Sequence, residues 1–259
     1  TMSARRLSRT RRALLLAGGL LPLAPAPAAD SQATAIALFG SGSGRIEGSG
    51  NVVDQPRSVG GFSRLLVQGP FDVIVKAADD DHVVVHADDN IAPLIETSVA
   101  AGMLTVGVRA GASFRTHTDV QVRVQARQLR GVLLRGSGDL RVDRVDAEVF
   151  EATLQGSGDI VVGALRADAA AVSVAGNGDV RIKGEAASLG VVLDGSGDVH
   201  CADLKARQVA VRIRGSGDVR VHATEELKVD IDGSGDVRFR GTPKVSKSIR
   251  GSGSVEALR

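Results

Sequence analysis

Around Gly215-Ser216-Gly217-Asp218-Val219 the chain alternates apolar and polar residues with a strict period of two. Val209, Val211, Ile213, Val219 and Val221 share one parity with the two glycines, while Arg212, Arg214, Ser216, Asp218 and Arg220 fall on the other. That period belongs to a half-buried strand, not to a helix. The same alternation runs through Val172, Val174, Val180 and Ile182, through Val191, Leu193, Val199 and Cys201, and through Leu227, Val229, Ile231, Val237 and Phe239. Each stretch offers a row of small, mostly branched apolar groups to one side and turns polar groups to the other.

The pentapeptide itself recurs. Copies start at Gly136, Gly156, Gly176 (with Asn177 for Ser), Gly195, Gly215 and Gly233, and a degenerate copy starts at Gly251 with Ser254 where Asp is expected. Successive starts lie 20, 20, 19, 20, 18 and 18 residues apart. A fixed period of this length predicts an all-β solenoid, a parallel β-helix in which each repeat is one coil stacked on the last. One coil cannot bury its apolar row alone, so backbone hydrogen bonds must run from coil to coil. Six such stacks at about 4.8 Å make a rod on the order of 25 to 30 Å long. The turn glycines come in pairs, Gly136 with Gly138, Gly156 with Gly158, Gly176 with Gly178, Gly195 with Gly197, Gly215 with Gly217 and Gly233 with Gly235. They mark where the wall bends and an inward side chain does not fit. A row of hairpins closed by Gly-Ser-Gly-Asp is the alternative, since Gly-rich tetrads also close hairpins.

Stacking places Asp139, Asp159, Asp179, Asp198, Asp218 and Asp236 in a column. Two like charges about 4.8 Å apart repel by roughly 0.9 kcal/mol even in water. One account has each carboxylate accept N–H bonds from its own Gly-rich turn, as in an Asx-turn, with outward arginines helping. The other places a cation such as Ca²⁺ between successive oxygens. Calcium-binding nonapeptide repeats carry Gly-Gly-x-Gly-x-Asp at a shorter period, which this chain lacks. The six aspartates are therefore read as structural turn residues, with a weak cation column as the alternative.

Upstream the pattern changes. Arg5, Arg6, Arg9, Arg11 and Arg12 precede an apolar run from Ala13 to Leu23 and the small-residue site Ala26-Pro27-Ala28, so residues 1–28 have the form of an export signal. Thr10-Arg11-Arg12-Ala13-Leu14-Leu15 also fits a twin-arginine signal, which leaves the export route open. Residues 29–50 are expected to be a flexible lead-in, with Gly48-Ser49-Gly50-Asn51-Val52 as a candidate outlying copy of the motif. Residues 51–130 are β but irregular, with strands expected over Phe62 to Val67, Phe71 to Val75, His82 to His86, Leu104 to Val108 and Val120 to Val124. This section is expected to start and cap the stack, because a solenoid needs a closed end. Residues 131–259 carry the regular repeats, and the last strand, beginning at Val255, leaves little sequence to cover the far end. An open edge pairs readily with another, so a homo-oligomer through the solenoid ends is expected.

Composition narrows the function classes. A chain of 259 residues that is 43% hydrophobic can bury one sizeable core. Six Phe with no Trp or Tyr make that core thin and built from small residues. The formal net charge of +2 owes its sign to the five arginines of residues 1–28; without them 27 basic residues face 30 acidic ones. Nothing then favours nucleic acid as a partner. Cys201 is the only cysteine and has inward parity, which makes it a core residue. His82 and His86 sit among Asp79, Asp80, Asp81, Asp88 and Asp89. Four residues along one strand span about 13 Å, whereas a zinc–nitrogen bond is about 2 Å. That separation leaves a solvated acidic edge rather than a metal site, and His117, His200 and His222 look isolated. No Walker loop, nucleophile elbow or metalloprotease motif is present. The charged outer parity excludes a lipid-facing barrel. No cofactor, metal or catalytic residue is implied.

Gly61-Phe62 with Leu65 and Val67, Gly69-Pro70-Phe71-Asp72-Val73, Asp89-Asn90-Ile91 leading to Ile95-Glu96-Thr97, Leu104-Thr105-Val106, and the train of Gly-Ser-Gly-Asp-Val motifs together resemble the bacterial head GIN domain family of auto-transporter adhesins. The resemblance spans roughly Val52 to Val255. It implies an exported solenoid, the right hand of its parallel coil, and an adhesive or envelope-interaction role at the periplasm or cell surface, with a surface glycan or envelope protein as partner. No transmembrane segment is expected after signal removal. A periplasmic scaffold is the first alternative. A carbohydrate-active β-helix enzyme is the second, disfavoured because the outward charges repeat coil after coil without a distinctive cluster.

Overall fold

The computed structural model describes residues 45–258; the expected export signal and the expected lead-in up to residue 44 fall outside the described residues. Among these the chain is β throughout apart from one 3₁₀ turn, Ala92–Leu94. Leu140–Gly156, Ile160–Gly176, Val180–Gly195, Val199–Gly215 and Val219–Gly233 each make one coil and pair side by side in parallel. Equivalent residues face one another, so that Gly156 lies against Gly176 and Gly176 against Gly195. The repeats therefore build a β-solenoid. A row of hairpins is ruled out, because hairpin strands pair antiparallel.

Inward parity becomes buried columns. Leu140, Ile160, Val180, Val199, Val219 and Val237 stack in one file, all fully buried, and Leu154, Val174, Leu193, Ile213 and Ile231 form another. Such ladders need side chains that fit a neighbour every strand spacing, which suits branched residues better than broad aromatics. Phe150 is accommodated because Ala170 lies opposite it in the next coil. Cys201 faces Val221 in the core, and burial pushes its thiol pKa up to about 12.

The turns set the spacing. Gly156 has φ of +149°, and a Cβ there would overlap the carbonyl oxygen of Gly136 in the coil before. At Gly158 a Cβ would overlap the oxygen of Gly138. Two backbones can bend together at this distance only if both positions lack a side chain. Phe71 replaces the second glycine in Gly69-Pro70-Phe71-Asp72-Val73, and its buried ring fills the corner beside Gly69.

The N-terminal section stacks out of sequence order. Arg64–Gly69 pairs in parallel with Gly131–Gly136 on one side and with Met103–Val108 on the other. Asp72–Ala77 lies likewise between Leu140–Val142 and Gln121–Ala126. The first coil in the chain is thus second in the stack, and the strands that follow it build the layer outside it. That outer layer ends in antiparallel strands. Ile95–Ala100 folds back on Met103–Val108 through Ala101 and Gly102, both with positive φ, as a tight hairpin requires. On the adjoining wall His82–Asp88 covers Gln121–Ala126, and Val52–Arg57 covers His82–Asp88. Pro56 in Val52–Arg57 suits an edge strand.

Two expectations change here. Gly48-Ser49-Gly50-Asn51-Val52 is not a coil turn, since Val52 opens an antiparallel strand. The end of the expected flexible lead-in is paired: Ile46–Glu47 forms a short parallel ladder with Phe114–Arg115.

The glycine constraint is testable by contrast. Gly158→Ala should destabilise the protein by about 3 kcal/mol through backbone overlap. Gly190→Ala, where an added Cβ meets nothing, should change stability by less than about 0.5 kcal/mol. Urea unfolding of both variants beside the parent measures the difference.

Candidate functional site

The six predicted aspartates do form a column, and their carboxylates are used differently from an Asx-turn. Each Oδ1 accepts the backbone N–H of the aspartate in the next coil: Asp159 donates to Asp139 at 3.2 Å, Asp179 to Asp159 at 2.9 Å, Asp198 to Asp179 at 3.0 Å, Asp218 to Asp198 at 2.9 Å and Asp236 to Asp218 at 3.0 Å. Parallel stacking brings the amide above within reach of the carboxylate below, and the bend leaves that amide without a ladder partner. The relay extends at both ends. Asp139 N–H donates to Asp72 Oδ1 at 2.9 Å, and Ser254 donates to Asp236 Oδ1 from both its N–H and its hydroxyl, each at 2.9 Å. Asp72 was missed as a column member; the spacing of Gly69 to Asp72 and Val73 is the signal that marks it. Ser254, where the motif degenerates, ends the column with donors in place of another negative charge.

The outer oxygens meet arginines two residues along the strand. Arg181 bridges Asp159 and Asp179 at 3.3 and 2.8 Å, and Arg238 bridges Asp218 and Asp236 at 3.3 Å each. Arg141 lies 3.1 Å from Asp139 and 3.9 Å from Asp72. One guanidinium thus serves two carboxylates, relieving the repulsion between them. The column is a half-open surface, the side chains of its six motif aspartates 28 to 37% exposed.

His200, isolated in the sequence, interrupts this strip. Arg220 donates to its Nδ1 at 2.8 Å, while its Nε2 lies 3.9 Å from both Asp179 and Asp198. Burial, together with the nearby guanidinium groups of Arg220 and Arg181, holds the imidazole pKa below its ordinary 6.5, against the pull of Asp179 and Asp198. A donor aimed at Nδ1 requires the neutral ring.

At the capped end Asp88 is the one fully buried charged residue among the described residues. The hydroxyls of Thr116 and Thr118 donate to it at 2.5 and 2.7 Å, and with the Gly50 N–H they hold its carboxyl below the usual range. Asn90 takes the Ser49 N–H at 3.0 Å and donates to the Glu47 carbonyl at 2.8 Å. These bonds clasp the incoming chain to the cap. His86 is paired with Asp54 at 2.6 Å, next to Arg123 at 3.2 Å, and its hydrogen bond is the main cause lowering the Asp54 pKa. His82 takes no part in that contact, in line with the separation expected along one strand.

A second surface was not foreseen. Where each coil turns its remaining corner, Gly163, Gly184 and a file of alanines, Ala167, Ala186 and Ala206, leave room for three adjoining clefts of 310 to 400 Å³ along the stack. Charged side chains stand over this small-residue floor, Arg144, Asp146, Arg166, Glu185 and Lys205 among them. Bulges in the ladders between Val162 and Leu165 and between Cys201 and Lys205 fall at this corner. Such irregularities hide a site from a period-two reading. No group of three or more His, Cys, Asp or Glu converges on a metal-sized site among the described residues.

A capped β-solenoid with repeating charged walls is thus the class of protein that the fold defines. Residues 61–243 match the family described as "Putative auto-transporter adhesin, head GIN domain", and the chain belongs to that family. Crystal structures share the fold: a putative adhesin from Bacteroides fragilis (20% identity, 82% of this chain and 100% of that one, TM-score 0.78) and a putative adhesin from Parabacteroides merdae (21%, 83% and 99%, 0.68). A putative lipid binding protein from Parabacteroides distasonis does so too (24%, 83% and 100%, 0.68). No curated protein matches the chain.

With Oδ1 of each aspartate occupied by an amide, Ca²⁺ titration should give neither heat nor a shift in melting temperature; a rise of several degrees would mean that a cation enters the column. His200 makes a pH prediction. Its folded pKa lies below 6.5, so the unfolded chain takes up the proton first. Its contribution is complete above about pH 6.5 and is lost as pH falls through that value towards the folded pKa. His200→Gln should therefore flatten the pH dependence of the melting temperature between about pH 7 and 5. An unchanged slope would exclude His200 as its source.

Proposed function

We propose that the chain is an exported, non-catalytic, adhesin-like module that holds a rigid charged wall towards a surface glycan or an envelope protein. The observation that carries this reading is the repetition of the wall itself. Asp recurs at one strand spacing down the stack, and Arg141, Arg181 and Arg238, two residues along the strand, are engaged with it. A catalytic centre would instead gather unlike groups around one point. Membership of an adhesin-described family supports the same role. The sequence of residues 1–28 supports export.

Protease shaving of intact cells, with a periplasmic protein as control, tests the exposed location. Loss of the protein while the control survives is the expected result. Survival of both until the outer membrane is opened would move the protein to the periplasm and favour the scaffold reading.

A further inference from the structure

The corner with the alanine floor carries a charge pattern that is its own complement. In the coil Leu140–Gly156 the exposed residues Arg144, Asp146 and Glu148 read plus, minus, minus. At the same places in Val199–Gly215, the exposed Asp203, Lys205 and Arg207 read minus, plus, plus. The register between them is carried by Asp146 on Arg166, Arg166 on Glu185 and Glu185 on Lys205, beside the alanine file. Of the two coils between, one presents Arg166 and the other Glu185. If a second stack is laid face to face and end for end, every one of these charges meets its opposite. Asp146 faces Lys205, Glu148 faces Arg207 and Arg166 faces Glu185, while Arg144 faces Asp203, which Arg240 of its own chain already holds at 2.8 Å. The other charges of this corner, Asp143, Asp168 and Lys183, meet alanine or glycine.

We propose that this corner is the interface of an antiparallel, two-fold dimer of the chain. A two-fold contact must be self-complementary, and the order of signs along this corner is. Pitch selects the partner as well. Charges here repeat at about 4.8 Å, whereas an extended peptide repeats like-facing residues at about 6.8 Å and a helix turns every 5.4 Å. Another copy of this solenoid stays in step across all four coils. Asp146, Arg166, Glu185 and Lys205 make no ion pair among the described residues, although arginines on the other walls are paired within the chain, as Arg181, Arg214 and Arg238 are. The small floor lets two such corners approach closely. The stack end is a poorer interface than the sequence suggested. In its edge strand Lys244–Gly251, Lys247 takes the place that Val229 and Val211 hold in the core, and a charge there opposes edge pairing.

Sedimentation of the mature protein recovered from cells expressing the full chain tests this. A dimer is expected at low salt, with its dissociation constant rising at least about tenfold in 1 M salt. Arg166→Glu and Glu185→Lys, each alone, should sediment as folded monomers, the β fold checked by circular dichroism. Mixed together they should dimerise again, because each then faces its new opposite. A parent that stays monomeric at high concentration and low salt would overturn the proposal, as would a dimer that survives both substitutions or variants that mixing does not rescue. A monomer whose sedimentation changes only on adding heparin would make the corner a polymer site and equally overturn it.

Discussion

Everything in this fold depends on how closely two turn backbones can approach. At Gly156 and Gly158, as at their counterparts in the other coils, the place a Cβ would take is filled by the carbonyl of the coil before. Without side chains there, the bends stack at strand spacing and the walls between them stay in register. The same approach aligns each aspartate amide with the carboxylate of its neighbour. Repulsion between stacked carboxylates is then offset by the amides and by guanidinium groups that each span two coils. One pentapeptide resolves a steric problem and an electrostatic one together, and neither solution works without the other.

The alternation of small apolar residues, the glycine spacing and the aspartate file were legible in the sequence because each is a local property repeated coil after coil. Family membership was legible too, through Gly69-Pro70-Phe71-Asp72-Val73 and its companions. What could not be read was non-local. Nothing in the spacing of Arg64–Gly69 and Met103–Val108 tells which lies outside the other, since both have the same period and the choice rests on how the cap closes. His200 seemed isolated because its partners, Arg220 and Asp179, lie a whole coil away. The corner with the alanine floor escaped notice because bulges break the period of two there.

A stack of this kind has walls that repeat and ends that do not. One end is closed by antiparallel strands and by the buried Asp88 clasp, while the other carries lysine and arginine along its edge strand. Along the sides of the stack, by contrast, charges are held at a fixed pitch by the coil-to-coil register. Groups held in a fixed array lose little freedom on contact, which is the physical basis of the adhesin-like role proposed above.

The most direct test of the account is amide hydrogen exchange at the aspartates of the motif. Asp159, Asp179, Asp198, Asp218 and Asp236 lie at a partly exposed bend, where an ordinary turn amide exchanges quickly. If each is bonded to the carboxylate of the neighbouring coil, their amides should exchange as slowly as those of the buried strands. Exchange at the rate of an unprotected, solvent-exposed amide would contradict the carboxylate relay. The stack would then rest on its apolar columns alone.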